Sequence, residues 1–165
     1  QRHTGFVDTG VFLDAVRNWL EQRDAYIGEP FDWQALEVRA DGIHWAGHRS
    51  DAVIACEGDG ARDNPWFRWL DMRSVKGQIL TLELDSPLPE VIFNRGKWLL
   101  PLPDGRHARF GATYERGLRD TLATSEAREQ LERSLADWWP APPPVSVVEQ
   151  RAGVRPGTPA ICNGG

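Results

Sequence analysis

Short strand-like runs separated by glycine-containing turns fill the middle of the sequence, and this spacing limits the possible folds more than any other feature. Asp41-Gly42 lies between residues 37–40 and 43–46, and residues 91–100 contain a second such pair around Gly96. These turns join antiparallel neighbours, because glycine adopts positive φ at little cost. We therefore predict hairpins rather than the crossover connections of a parallel sheet.

Further runs predict additional strands. Residues 79–84 alternate apolar and polar side chains, residues 106–114 follow an Asp-Gly turn, and residues 145–150 form a last strand after a proline-rich stretch. Residues 51–56 are a short apolar run that predicts a strand buried on both faces. For the segment between residues 62 and 74 we predict irregular structure or a short helix.

Two helices frame this sheet. Asp8-Thr9 offers N-cap oxygens before an apolar set with helical spacing, and Thr124 precedes a second such set that Pro140 ends. We predict an α+β fold with a mixed, largely antiparallel sheet flanked by helices. At 165 residues the chain is expected to form one domain, residues 1–165.

Composition and charge exclude several classes of partner. The net charge is -5, and the 19 Lys and Arg residues are scattered, so no basic stripe suits nucleic acid. No apolar run approaches the roughly 20 residues of a membrane span, and no signal peptide is visible. Cys56 and Cys162 make neither a disulfide framework nor a metal motif, which favours a reducing cytoplasm.

Common catalytic motifs do not occur, whether a nucleophile elbow or a phosphate loop with its Lys. His44 and His48 have a spacing that suits a metal only on a helix, and they fall in a predicted hairpin and turn. We expect two solvated histidines and no metal site. Gly58-Asp59-Gly60 is similar to the start of a dinucleotide fingerprint, but Asp63 stands where the third glycine belongs.

Arg155 is the candidate for ligand binding. It lies in Gly153–Pro159, which predicts a rigid turn after the last strand, and there its guanidinium can present a planar fork to a carboxylate. An ion pair with a neighbouring acidic side chain explains it equally well. Trp98 and Tyr114 can line an apolar pocket with one hydroxyl, although aromatic residues in strands are usually core.

Five motifs in order resemble the D-amino-acid oxidase superfamily, and within it the glycine oxidase and sarcosine oxidase-type branch. The motifs are Gly5-Phe6-Val7-Asp8-Thr9, Asp51-Ala52-Val53-Ile54-Ala55-Cys56-Glu57-Gly58, Val75-Lys76-Gly77-Gln78-Ile79-Leu80, Phe110-Gly111-Ala112-Thr113-Tyr114-Glu115 and Ala152-Gly153-Val154-Arg155-Pro156-Gly157-Thr158-Pro159. The resemblance extends over nearly the whole chain.

The resemblance implies an FAD-dependent enzyme that oxidises a small amine or amino acid to an imine, with the flavin carrying the redox chemistry. It implies that Arg155 holds the substrate carboxylate and that Tyr114 and Trp98 shape the pocket. It also places two segments near the flavin, namely Glu57-Gly58 and Gly157-Thr158.

Several departures from the family pattern limit this expectation. The Gly-rich unit that receives the FAD pyrophosphate has no counterpart, the C-terminal flavin-binding segment is missing, and the segment after Pro159, Ala160-Ile161-Cys162-Asn163, differs from the usual continuation. The chain also begins at Gln1. We expect the substrate-binding portion of a longer enzyme, inactive and without retained FAD on its own, with apolar surface exposed where the FAD domain would pack. The alternative is a flavin-free ligand-binding or protein-interaction module.

Overall fold

The computed structural model describes residues 5–139 and 142–158. The chain divides into two compact units, Gln1–Ile54 and Ala55–Gly165. The expectation of one domain stays a prediction. No helix among the described residues is long and apolar enough to cross a membrane.

The first unit begins with helix α1, Thr9–Glu21. Its N-cap is Asp8, whose Oδ1 accepts hydrogen bonds from the backbone N–H groups of Gly10 at 3.0 Å and Val11 at 3.3 Å. The capped helix was predicted and is confirmed. None of its residues is buried, and most of the apolar side chains that define its face in the sequence are exposed.

A three-stranded antiparallel sheet completes this unit, with β1 at Glu37–Arg39, β2 at Gly42–Trp45 and β3 at His48–Ser50. The predicted hairpin is confirmed, whereas β3 was not predicted. His44 and His48 lie on neighbouring strands rather than on one helix. Among the described residues, no group of acidic, His and Cys side chains is arranged to hold a metal.

The prediction of a buried strand over residues 51–56 is wrong. Five of these six residues are exposed and none belongs to a strand. An apolar strand buried on both faces needs hydrogen-bonded neighbours and covering layers, and the described residues provide no strand that pairs with this segment. Cys56 within it is an exposed free thiol.

The second unit is built on a six-stranded sheet whose pairings are all antiparallel. Its strands are β4 at Arg73–Leu84, β5 at Phe93–Arg95, β6 at Lys97–Pro101, β7 at His107–Gly111, β8 at Glu115–Arg116 and β9 at Val145–Gly157. The order is β5-β6-β7-β4, with β8 following β7 along one side of β4 and β9 pairing with the other side. The predicted α+β class with an antiparallel sheet is confirmed.

Helix α2, Ser125–Trp138, covers one face of this sheet. Thr124 caps it as predicted, with Oγ1 accepting from the N–H of Ala127 at 3.3 Å. The apolar core lies between the helix and the strands, and its fully buried members come from three strands and the helix: Leu80, Leu82, Leu99, Ala108, Phe110 and Leu131. Alternation along β4 places these leucines on the helix-facing side.

Polar groups near the start of α2 are also buried, and each is hydrogen bonded. The Gln78 side chain is the centre of this cluster: its Nε2 donates to Glu115 at 3.0 Å, and its Oε1 accepts from the N–H of Thr124 and from Gln150 Nε2. Lys76, which is 1% exposed, donates from Nζ to Asp120 Oδ1 at 2.5 Å. Paired in this way, buried polar groups avoid most of their desolvation cost.

The last strand is longer than predicted. We expected it to end at Gln150 and to be followed by a rigid turn carrying Arg155, but β9 continues to Gly157. The glycines and Pro156 did not break it because β4 provides a hydrogen-bonding partner along its whole length. A proline is tolerated on an edge strand, where its missing N–H can point away from the neighbour.

Candidate functional site

The face of the sheet opposite α2 carries the predicted binding residues. We call it the open face and define it by Val75, Ile79, Trp98, Gly111 and Arg155, which cross-strand pairing and alternation place on one side of the sheet. Because alternate residues of β4 point to the core, the same strands support both the packed interior and this face.

Arg155 and Tyr114 come together on the open face. Arg155 is the cross-strand partner of Val75, and its Cζ lies 5.2 Å from the centre of the Tyr114 ring, within the range of a cation–π interaction. In the part of the chain that the structure describes, Arg155 has no carboxylate within ion-pair distance. The guanidinium is therefore stacked on an aromatic ring while its N–H groups stay available for an acidic ligand.

Arg116 also contacts the Tyr114 ring, and the sequence analysis did not identify it. It is the second cross-strand partner of Val75, and its Cζ lies 5.6 Å from the Tyr114 ring centre. The spacing of Tyr114 and Arg116 could have revealed it, since residues i and i+2 of an extended chain share a face. The pairing with β4 that brings Arg155 beside them is not visible in local sequence.

Trp98 also lies on the open face, but at a different position along the strands from Arg155. It pairs with Gly111, which pairs with Ile79, and Ile79 pairs with Arg151. Arg151 is four residues from Arg155 along β9, which corresponds to about 13 Å. The structure thus brings Tyr114 and Arg155 into contact, whereas Trp98 lines a neighbouring part of the same face.

Gly111 permits the packing around Trp98. A Cβ at this position would lie 2.6 Å from Ile79 Cγ2 and 3.4 Å from Trp98 Cζ2. The first distance is shorter than any normal contact, so only glycine fits between these two side chains without a shift. The indole is consequently held close to the surface of the sheet.

The segment at Glu57-Gly58 forms the start of a tight turn. Gly58 has φ of 56° and begins a 3-10 helix, Gly58–Arg62. Glu57 Oε2 accepts from Asn64 Nδ2 at 2.6 Å, and the turn contacts β9. The 3-10 helix that begins at Gly58 lies near the end of β9, since Arg62 donates to Ser74, the cross-strand partner of Pro156.

An ion-pair cluster fixes this turn. Arg119 donates to both carboxylate oxygens of Asp63, at 3.2 and 2.6 Å, and its Nε donates to Asp59 Oδ2 at 3.0 Å. These hydrogen bonds lower the pKa of Asp63 and raise that of Arg119, so this ion pair is favoured at neutral pH. Asp59 Oδ1 is buried and has no partner among the described residues.

The end of β9 contributes Gly157 and Thr158. Gly157 is buried and pairs with Arg73, while Thr158 is exposed. The altered segment after Pro159 lies outside the described residues.

A dinucleotide pyrophosphate usually binds at a free helix N-terminus. In the described ranges the two α-helices both have N-termini that are capped by their own side chains, the Asp8 carboxylate for α1 and the Thr124 hydroxyl for α2. An anion at α1 would also meet the negative charge of Asp8.

Comparison with known proteins finds a matching family and two similar proteins. The model of the FAD dependent oxidoreductase family matches residues 1–164. Glycine oxidase from Pseudomonas aeruginosa is 30% identical over 145 residues, covering 87% of this chain and 37% of that protein. Glycine oxidase from Pseudomonas putida is 33% identical over 91 residues, covering 54% and 25%. The chain thus spans about a third of the length of the curated relatives it matches.

Solved structures show the same fold. Glycine oxidase from Geobacillus kaustophilus superposes with a TM-score of 0.60 at 22% identity, covering 76% of this chain and 36% of that one. Glycine oxidase from Bacillus cereus gives 0.53 at 18% identity, with 74% and 33% covered. The predicted resemblance is confirmed, and this chain belongs to the FAD-dependent oxidoreductase family.

Proposed function

We propose that this chain forms the substrate-binding part of an FAD-dependent oxidoreductase that oxidises a small amine or amino acid to an imine. The observation that carries the proposal is the Arg155 guanidinium, stacked on Tyr114 with no carboxylate partner in the described part of the chain. A planar fork of donors on an exposed face suits the carboxylate of an amino acid. The relatives are glycine oxidases, which supports this substrate class.

In this proposal each predicted residue has a role that suits its place. Arg155 binds and orients the carboxylate, Tyr114 supports the guanidinium from below, and Trp98 closes the neighbouring part of the open face. Glu57-Gly58 and Gly157-Thr158 form the border that faces the cofactor. FAD would be held mainly by the part of the protein that the relatives have beyond this chain's matched third.

The role of Arg155 is tested in the full-length protein. We expect Arg155→Ala to raise KM for amino-acid substrates about 30-fold, corresponding to about 2 kcal/mol for one lost charge-assisted partner. Arg151→Ala is the matched control, because Arg151 lies on the same strand face and already pairs with Glu149 at 2.7 Å. Steady-state kinetics with glycine and N-methylglycine would contradict the assignment if Arg155→Ala left KM unchanged.

A second candidate function is a flavin-free binding module, favoured by the two capped helix N-termini. A titration of this chain with FAD, followed by visible absorbance, tests the cofactor. We expect no retention by the chain alone and retention by the full-length protein. Failure of the full-length protein to bind FAD would favour the binding module.

A further inference from the structure

The open face presents two positive charges at one level of the sheet. Val75, which is 1% exposed, pairs with Arg116 on one side and with Arg155 on the other. Paired residues of antiparallel strands point to the same face, and two strand spacings separate the two arginine backbones by roughly 10 Å. Both side chains therefore rise from the same surface on opposite sides of one buried valine.

Tyr114 is close to both charges. The two guanidinium carbons lie 5.6 Å and 5.2 Å from its ring centre, Arg116 and Arg155 respectively. Within the described ranges neither guanidinium has a carboxylate partner, whereas Arg151 on the same face pairs with Glu149 at 2.7 Å. Two like charges around one ring repel each other until an anion neutralises them.

The surroundings of Arg116 add positive charge. It lines an open cavity of about 440 Å³ at the start of β4, together with Arg62, Arg73 and one acidic residue, Asp71. Arg73 pairs with Asp71 at 3.5 Å, and Arg62 donates to the Ser74 hydroxyl at 2.7 Å. Because Asp71 already pairs with Arg73, its carboxylate does not neutralise the charge of Arg116.

We propose that the substrate carries two acidic groups, one bound by Arg155 and the other by Arg116. The substrate class is a small amino dicarboxylate, in which one or two carbon atoms separate the amine from each acid. This assignment rests on the proposed function and adds a preference that a single anchoring arginine would not produce. Two separated guanidinium forks discriminate in favour of a ligand that fills both.

Kinetics of the full-length protein test the preference. Iminodiacetate and N-methylglycine serve as a pair of probes that differ by one carboxylate on the same nitrogen. We expect wild type to have the higher kcat/KM for iminodiacetate, and Arg116→Ala to lower the ratio of the two kcat/KM values about 10- to 100-fold. Arg116→Lys restores part of the ratio because it keeps the charge but loses the fork. Arg155→Ala lowers kcat/KM for both probes.

Arg151→Ala again serves as the matched control and leaves the ratio unchanged, since its guanidinium is neutralised by Glu149. A wild-type preference for N-methylglycine, or an equal loss for both probes in Arg116→Ala, would overturn the two-anchor assignment while leaving the oxidoreductase proposal intact.

Calorimetric titration with iminodiacetate separates the two proposals if no amine is oxidised. Absence of turnover rejects the oxidoreductase function, and binding then decides the second question by itself. Binding that weakens about 10-fold or more in both Arg116→Ala and Arg155→Ala supports the paired anchors. Absence of binding by a folded wild-type protein overturns them.

Discussion

The two faces of the six-stranded sheet differ in whether their charged and polar side chains have partners within the chain. On the face covered by α2, Lys76 is buried against Asp120 and the Gln78 amide is bonded on both of its ends. On the open face, Arg116 and Arg155 have an aromatic ring but no carboxylate among the described residues. Polar groups that stabilise the fold have hydrogen-bond or ion-pair partners within the chain. Charged groups that have no such partner on an exposed face are suited to binding a ligand.

Truncation of the core gives the largest effect on stability. Phe110 is fully buried between β4, β6 and α2, and we expect Phe110→Ala to lower the free energy of unfolding by about 3–5 kcal/mol. Arg151→Ala on the open face should change it by about 0.5 kcal/mol or less. Urea denaturation of both variants measures the contrast, and equal losses would show that the open face contributes to stability as much as the core.

A smaller effect is expected where the open face is tightly packed. Gly111→Ala forces a methyl group against Ile79 Cγ2 at 2.6 Å, and we expect a loss of about 1–3 kcal/mol together with a change in Trp98 fluorescence. Gly153→Ala is the matched control on β9, because a Cβ there meets nothing within 4 Å. A stability of Gly111→Ala equal to that of Gly153→Ala would mean that Trp98 and Ile79 are looser than the structure shows.

The smallest effect concerns a turn that belongs to neither face. The Asp104 carboxylate accepts hydrogen bonds from the His107 ring and from the N–H groups of Arg106 and His107, which lowers its pKa to about 2. A lowered folded-state pKa stabilises the fold above the ordinary value near 4, and this contribution is lost as the pH falls towards 2. Asp104→Asn should therefore be less stable than wild type at pH 5.

Denaturation of this pair at several pH values between 5 and 2 checks the expectation. The difference between wild type and Asp104→Asn should shrink as the pH falls. A difference that stays constant with pH would show that the carboxylate charge has no part in the turn.

Local signals in the sequence predicted the elements that local chemistry controls. Asp8 and Thr124 begin helices because their side-chain oxygens accept from nearby N–H groups, and that requires no distant partner. Gly96 likewise marks the turn between β5 and β6. The resemblance to a flavoenzyme family came from the order of short motifs, and the family match confirms it.

Elements that depend on distant pairing were not predicted. Residues 51–56 have the composition of a buried strand but no described neighbour, while residues 151–157 contain glycine and proline yet form a strand because β4 lies beside them. Arg116 was missed for the same reason, since its place beside Arg155 depends on two pairings with Val75. Site residues that strand register brings together cannot be read from spacing alone.

Gln78 also favours one alignment of β9 against β4. An apolar side chain in its place would pack almost equally well if β9 moved by two residues along β4, because the same face would still point inward. In the observed alignment Gln150 Nε2 donates to the Gln78 side-chain oxygen at 2.9 Å and to the Thr124 carbonyl at 2.8 Å. A slip of β9 would break both bonds, so the contact between these two glutamines favours the alignment in which Arg155 meets Tyr114.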